Sequence, residues 1–388
     1  MRTVYFDYNA TTPLDPQVRE AMLPFLGEIW GNPSSVHHVG RQARAQLDDA
    51  RERAAKVLGA KPSEIVFTAG GTESANLAIL GTARLLKPKG RHIITSAIEH
   101  HAVLRCCEHL AQRECFDVTC LPVDREGLVS PDSLAGAIRL DTILVSIMSA
   151  NNEIGTIQAV AELGAICRKC GVVFHTDAVQ WFGKEPFENI QQFNADLVSI
   201  CAHKIYGPKG AGALYVKSPL QPAPILLGGS HENEWRAGTE NLAGIVGLVE
   251  ALERFVRTPV FDREKLSPLT GRLIHLIDRL PGVQFVGSRE RGLANTVAFV
   301  VEGSDSLPLL AGLDLEGICA SSGSACSAGS LEPSHVVEAL GVDKRLANSL
   351  VRFSLGRGST SAEVEHVENI LPEVIRRARG VGTALSLR

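Results

Sequence analysis

The chain has 388 residues, 45% of them hydrophobic, enough to bury a large core and to form one big domain with a smaller one beside it. Lysine and arginine total 39 against 43 acids, a formal net charge of -4, so no basic field draws the chain to nucleic acid or to a membrane, and a small-molecule partner is expected. Nine cysteines are too sparse for a disulfide framework and their odd number leaves at least one free, so reduced thiols are expected.

The start, MRTVYFDYNATTPLDP, is polar and turn-rich and lacks the apolar core of a signal peptide. No run of about 18 apolar residues suggests a membrane span, and the cytoplasm is the expected location. HHVGRQARAQLDDARERAAKVLG reads as a long Ala/Arg-rich helix ending at Gly59. From Glu64, short β-branched runs alternate with amphipathic stretches: EIVFT and ESANLAILGTARLL, HIITS and HAVLRCCEHLAQ, TILVSIM and TIQAVAELGAICRKC, then VVFHTDA, DLVSICAHK and GALYV. That rhythm predicts an α/β fold, a mainly parallel sheet with helices on both faces, and ligands at the carboxyl ends of its strands. Cys167 and Cys170 make a C-x-x-C, but they lie in a helical pattern closed by a glycine, with no second pair at zinc-ligand distance, so a structural helix is expected. Cys106, Cys107, Cys115 and Cys120 belong to a helix-to-strand passage and are expected to be inert. After about Leu266 the pattern changes to scattered strands (VQFVG, NTVAFVV, GICASSG, VRFSLG) and helices, a smaller α+β domain.

Three segments carry chemistry. FTAGGTES is a strand end, two glycines, Thr72 as N-cap and Glu73 opening a helix, a site where exposed N–H groups and the helix dipole can take a phosphate, although a plain strand-turn-helix reads the same way. VVFHTDAVQ puts Asp177 at the end of an apolar strand, either a surface acid or a carboxylate awaiting a cation. SICAHKIYGPKGAGALYV places His203 and Lys204 at the end of the next strand. Lysine for a Schiff base, a carboxylate for a pyridine nitrogen and a helix start for a phosphate are the set that pyridoxal 5'-phosphate requires. SSGSACSAGSLEPSH holds Cys326 among small residues between Gly323 and Gly329, a loop whose thiol is either incidental or exposed for reaction.

From DYNATT through GNPSS, GGTES, EHHAVL, ANNEIG, HTDAVQ, AHKIYGPKG, RAGTEN, SSGSACS, LEPSH and VRFSLGR, the chain resembles the cysteine desulfurases, fold-type I pyridoxal-phosphate enzymes of the class V aminotransferase family. SSGSAC with LEPSH is similar to the nitrogen-fixation and housekeeping iron-sulfur branch. The resemblance implies a seven-stranded-type sheet and three segments: residues 1–14 packing with the small domain, 15–262 binding the cofactor, and 263–388 carrying the cysteine loop. It implies conversion of L-cysteine to L-alanine, with Cys326 accepting the sulfur as a persulfide for a sulfur-acceptor protein such as an iron-sulfur scaffold. Lys204 matches the lysine that carries the cofactor, Asp177 the partner of its ring nitrogen, and His100 the imidazole stacked on the ring, whereas His101 matches no role. Gln180 and Asn152 match groups near the cofactor's phenolic oxygen and the substrate carboxylate. Gly71, Thr72, Cys201 and His203 match phosphate-loop or adjacent positions, and Arg352 matches the substrate-carboxylate arginine. Thr239 matches a residue that reaches the phosphate of the other subunit, which implies a homodimer. The chain departs from the pattern at Cys201 and Ala202, where serine and glycine are usual and a weaker phosphate grip is expected. It departs also at Trp181 and Phe182, which are expected to reshape one wall of the site, and at its short end, GVGTALSLR, which leaves the sulfur acceptor open. A selenocysteine lyase, another enzyme of this fold or a silent scaffold are the alternatives; each could dispense with Cys326 or with Lys204.

Overall fold

The structure is a computed structural model that describes residues 3–323 and 333–385. Val4–Tyr5 (β1) opens the chain. Ile65–Thr68 (β2), His92–Ser96 (β3), Asp117–Leu121 (β4), Thr142–Ser146 (β5), Val173–Asp177 (β6), Leu197–Cys201 (β7) and Gly212–Val216 (β8) form a seven-stranded sheet in the order β2-β8-β7-β6-β5-β3-β4. From β7 to β4 every pairing is parallel, and β8 runs antiparallel to both of its neighbours.

The strands are continuous apolar runs because both faces are covered. Ile94, Val145, Val198 and Ala213 belong to one core, with Phe174 and the long helix His38–Leu58. Their neighbours Ile93 and Leu144, and Leu197 and Leu214, point the other way into two further clusters. The His38–Leu58 helix buries Ala43, Leu47, Ala50, Ala54 and Leu58, spaced three and four apart, on the apolar helix Leu242–Phe255. Gly59 ends it at φ 67°, as the sequence predicts. Cys167 and Cys170 fall in the helix Val160–Cys170, the first buried and the second exposed. Cys106 and Cys107 are buried in the helix His101–Glu114, and burial pushes the Cys106 thiol up to about 12.

Val283–Val286 (β9), Thr296–Val301 (β10) and Val351–Ser354 (β12) make an antiparallel sheet with β10 central, over a second core that includes Phe299, Phe353, Leu371 and Val374. The GICASSG segment contributes only Ile318–Cys319 (β11), which pairs in parallel with β1. Val4 and Phe6 are buried in this second core. Ser354 N–H donates to the Phe6 carbonyl at 2.7 Å, and Tyr8 N–H donates to the Ser354 carbonyl at 3.1 Å. A few residues later the same segment is tied to the large sheet: Thr12 Oγ1 donates to the His203 carbonyl at 3.0 Å and accepts from Tyr206 N–H at 2.7 Å. Asn9 and Ala10 are thereby stretched between the two cores, across the carboxyl ends of the parallel strands.

Two local expectations are corrected. The helix after β2 begins at Gly71 with Gly70 as its N-cap, so Thr72 is its second residue. Gly70 has φ 149° and ψ -174°, a conformation open to glycine alone, so the sharp turn out of β2 decides the cap rather than threonine's capping hydroxyl. Gly212 on β8 allows this turn, since a Cβ there would lie 2.6 Å from Gly70 Cα. Strand β7 stops at Cys201, so His203 and Lys204 occupy a single 3₁₀ turn beyond the strand end.

Candidate active site

The carboxyl ends of β2, β3, β5, β6 and β7 surround a cavity of about 220 Å³. Gly71, Thr72, His100, Asn152, Asp177, Gln180, Cys201, His203, Lys204 and Arg352 all line it, so ten of the twelve residues singled out from sequence meet in one place. Asn9 and Ala10 of the N-terminal segment and Gly323, three residues before Cys326, also line it, with Met148, Ala150 and Val179.

Each polar group has a defined setting. Asp177 is 7% exposed, and its carboxylate takes Val179 N–H at 3.0 Å. Burial raises its pKa to about 6, opposed by that hydrogen bond and by the charge on Lys204. Lys204 Nζ donates to the carbonyls of Asn9 at 2.6 Å and Ala10 at 2.7 Å, and burial lowers its amine to about 8, with Arg352 adding repulsion. His100 caps the helix His101–Glu114, its Nδ1 accepting from Ala102 N–H at 3.1 Å. Burial, then the charge on Lys204, lowers its imidazole to about 4, so the ring is neutral at pH 7 with its proton on Nε2. His203 is held down to about 4 for the same two reasons, and Nδ1 meets Thr11 Oγ1 at 3.1 Å.

Arg352 is 1% exposed, which rules out a surface strand charge. Its fork donates to Asp7 Oδ1 at 2.6 Å, to the Asn152 carbonyl at 2.8 Å and to the Gly323 carbonyl at 2.7 Å, while Nε has no partner among the described residues. A buried donor of this kind suits a carboxylate ligand. Cys201 is buried with the N–H groups of Gly71 and His203 directed at its sulfur, and burial raises its thiol. Glycine backbone, a helix start and these N–H groups on one side, a carboxylate on the floor and a lysine at the rim match the phosphate, ring nitrogen and aldehyde of pyridoxal phosphate, so the residues present fit that group.

The remaining sequence expectations divide. Thr239 is exposed and lies in a separate cleft with Thr68, Ala69 and Arg236, outside the Lys204 cavity of its own chain. Cys326 lies outside the described residues. His101 opens the helix and faces His335, ring centroids 4.8 Å apart, away from the cavity. Trp181 and Phe182 do not form a wall of the site. The turn after β6, in which both N–H groups donate to the Ala178 carbonyl, carries them into the core against Phe193, at 5.3 and 6.0 Å between rings. The sequence reading missed Asn9, Asp7 and Lys184. Asn9 and Asp7 stand within the quoted DYNATT, and Lys184 could have been flagged as a lone cation in the apolar run WFGKEPF.

This fold and site define a pyridoxal-phosphate-dependent enzyme. Residues 4–367 match the aminotransferase class-V family model. The chain is 49% identical over 381 residues to the cysteine desulfurase IscS of Dictyoglomus turgidum, covering 98% of this chain and 96% of the relative. Among solved structures it superposes on a NifS-like protein with a TM-score of 0.89 at 37% identity, covering 97% of this chain and all of the other. It also superposes on SspA in complex with cysteine, with a TM-score of 0.81 at 36% identity, over 92% of this chain and all of that one. The chain therefore belongs to the aminotransferase class-V family and, within it, to the cysteine desulfurases, enzymes that depend on pyridoxal phosphate.

The raised pKa of Asp177 has a sign that can be measured in the apoprotein. With a folded value of about 6 against 3.8 unfolded, this group costs stability as pH rises through that interval, about 3 kcal/mol in all. In chemical denaturation of apoprotein, Asp177→Asn should therefore gain on the wild type between pH 4 and pH 7 by up to about 3 kcal/mol, while binding pyridoxal phosphate more weakly. A stability difference that is flat with pH would contradict this assignment.

Proposed function

We propose that this desulfurase moves the sulfur of L-cysteine onto Cys326 as a persulfide and leaves L-alanine. The carbon–sulfur bond of the substrate breaks, a sulfur–sulfur bond to Cys326 forms, and the protons of the two reactants suffice for the products, so no external oxidant or reductant is needed. The observation that carries this reading is the convergence of Lys204, Asp177, His100 and Arg352 on one cavity whose rim includes Gly323, three residues before Cys326.

Gly71, Thr72 and His203 would hold the cofactor phosphate, Asp177 its ring nitrogen, Gln180 its phenolic oxygen and Lys204 its aldehyde carbon. Bound there, pyridoxal phosphate supplies an electron sink for the substrate α carbon. Lys204, with its amine lowered to about 8, has a usable neutral fraction near neutral pH to take the α proton. Arg352 and Asn152 orient the substrate carboxylate, for which Arg352 has the fork geometry and an unengaged Nε. His100, uncharged and with its other nitrogen occupied by Ala102 N–H, turns Nε2–H to the cavity as a hydrogen-bond donor that orients substrate. Residues 15–262 are read as the cofactor-binding part, and 263–388, with 1–14 strapped to it, as the part bringing Arg352 and Cys326.

We read the working unit as a homodimer in which Thr239 completes the phosphate site of the other subunit. Its exposure, in a cleft apart from its own chain's cavity, supports this. So do the exposed apolar side chains Leu23, Leu26, Trp30, Val36, Leu226 and Leu227. A cytoplasmic setting is part of the reading, supported by eight described cysteines that are all free thiols. The receiver of the persulfide sulfur is a partner protein such as an iron-sulfur scaffold.

Three experiments test these statements. After incubation with L-cysteine, mass spectrometry should find one extra sulfur on the peptide containing Cys326. Cys326→Ala should keep cofactor binding and lose sulfide release by orders of magnitude, because a covalent step is removed rather than a contact weakened. Alanine and sulfide formed by that variant at the wild-type rate, or extra sulfur on Cys201 or Cys319, would refute the role of Cys326. In sedimentation at micromolar concentration the protein should run as a dimer, and a monomer with full activity would refute the shared phosphate site.

A further inference from the structure

Lys184 is 3% exposed, yet no step of the reaction uses it. It follows β6 by seven residues, in the turn that also positions Gln180. Its Nζ lies 5.1 Å from the ring centroid of Phe261, and it donates to Asn9 Oδ1 at 2.6 Å and to Gln180 Oε1. The adjacent carboxylate, Glu185, is committed to Arg263 at 2.6 Å. Burying a lysine amine among neutral partners is costly, and its pKa is driven well below the ordinary value by burial and by the charges of Lys204 and Arg352.

The hydrogen bonds explain why an amine is kept there. An ammonium only donates and so requires the oxygen of Gln180, and for a neutral amine, which can also accept, the orientation is decided on the far side of the amide. On the far side of the same amide lies the Asn9 backbone carbonyl, which only accepts, and it takes Gln180 Nε2–H at 3.0 Å. The Gln180 amide is thus fixed from both ends. Its N–H group converges on the carbonyl oxygen that Lys204 Nζ reaches at 2.6 Å.

We infer that Lys184 is a positioning residue for the desulfurase reaction: it locks the Gln180 amide so that the N–H, and not the oxygen, is presented at the cofactor site beside Lys204. This rests on the reading of Gln180 as the contact to the cofactor's phenolic oxygen. Without Lys184 one of the two anchors is gone and only the Asn9 carbonyl still selects the orientation, so the turned-over amide, with its oxygen set against the cofactor oxygen, gains population at the expense of that hydrogen bond.

Four proteins test it: wild type, Lys184→Met, Gln180→Ala and the double variant. Each is titrated as apoprotein with pyridoxal phosphate for its Kd, and as loaded protein with acid and base for the pH midpoint of its visible absorption. Lys184→Met should move the absorption midpoint and weaken cofactor binding roughly ten-fold, the worth of one buried hydrogen bond. In the Gln180→Ala background the same change should move neither quantity further. Equal effects of Lys184→Met in both backgrounds, or a lower melting temperature with an unmoved midpoint and Kd, overturn the proposal in favour of a purely structural lysine. An unmoved midpoint in Gln180→Ala alone overturns the reading of Gln180, a separate failure. Should Lys184→Met not fold, a crystal structure of the loaded wild type decides: Lys184 Nζ beyond hydrogen-bond reach of Gln180 overturns the proposal.

Discussion

The structure turns on Asn9. Its backbone carbonyl accepts from both Lys204 and Gln180, its Oδ1 accepts from Lys184 and from Asn295 Nδ2 at 3.0 Å, and its Nδ2 donates to Thr296 Oγ1 at 2.9 Å. Its own N–H donates to Ser354 Oγ at 2.9 Å. One 1%-exposed asparagine therefore ties the turns after β6 and β7, which carry the lysines, to β10 and to β12, which carries Arg352. Two buried lysines would be untenable without such acceptors, since an unpaired buried amine costs several kcal/mol. The N-terminal segment is held in place for this by β1 on one side and by Thr12 on the other.

The same arrangement sets the chemistry. Burial displaces the Asp177 carboxyl upward and the Lys204 amine downward, bringing both toward neutrality, and strips His100 of its charge at neutral pH. Groups displaced in this way by desolvation are what proton transfer at neutral pH needs. They also make the pocket a stability cost in the apoprotein that a bound cofactor, with a phosphate and a ring nitrogen to offer, offsets.

Much of this was legible in the sequence. Strands covered on both faces appear as unbroken apolar runs, so the sheet, its helices and the polar residues closing two strands, Asp177 and Lys204, are read from the residues, whereas His100, Asn152, Gln180, Cys201 and Arg352 came only through the resemblance of their motifs to a family. What was not legible depends on where turns send side chains. Trp181 and Phe182 adjoin Gln180 in sequence, yet the turn after β6 rotates them into the core near Phe193. Thr72 has the better capping side chain, but the backbone conformation demanded at Gly70 moves the helix start. Asn9 carries no local signal, because its partners lie 143 to 345 residues away. Lys184 is marked as a cation in an apolar run, but its partners are supplied by the chain crossing at Asn9, which no local pattern shows.

We read the cavity at the strand ends as holding pyridoxal phosphate on Lys204. Reduction of the loaded protein with borohydride fixes the cofactor to its lysine, and peptide mapping then locates it. The label is expected on the peptide containing Lys204, at one cofactor per chain. A label on Lys184, on Lys209 or spread over surface lysines would contradict it.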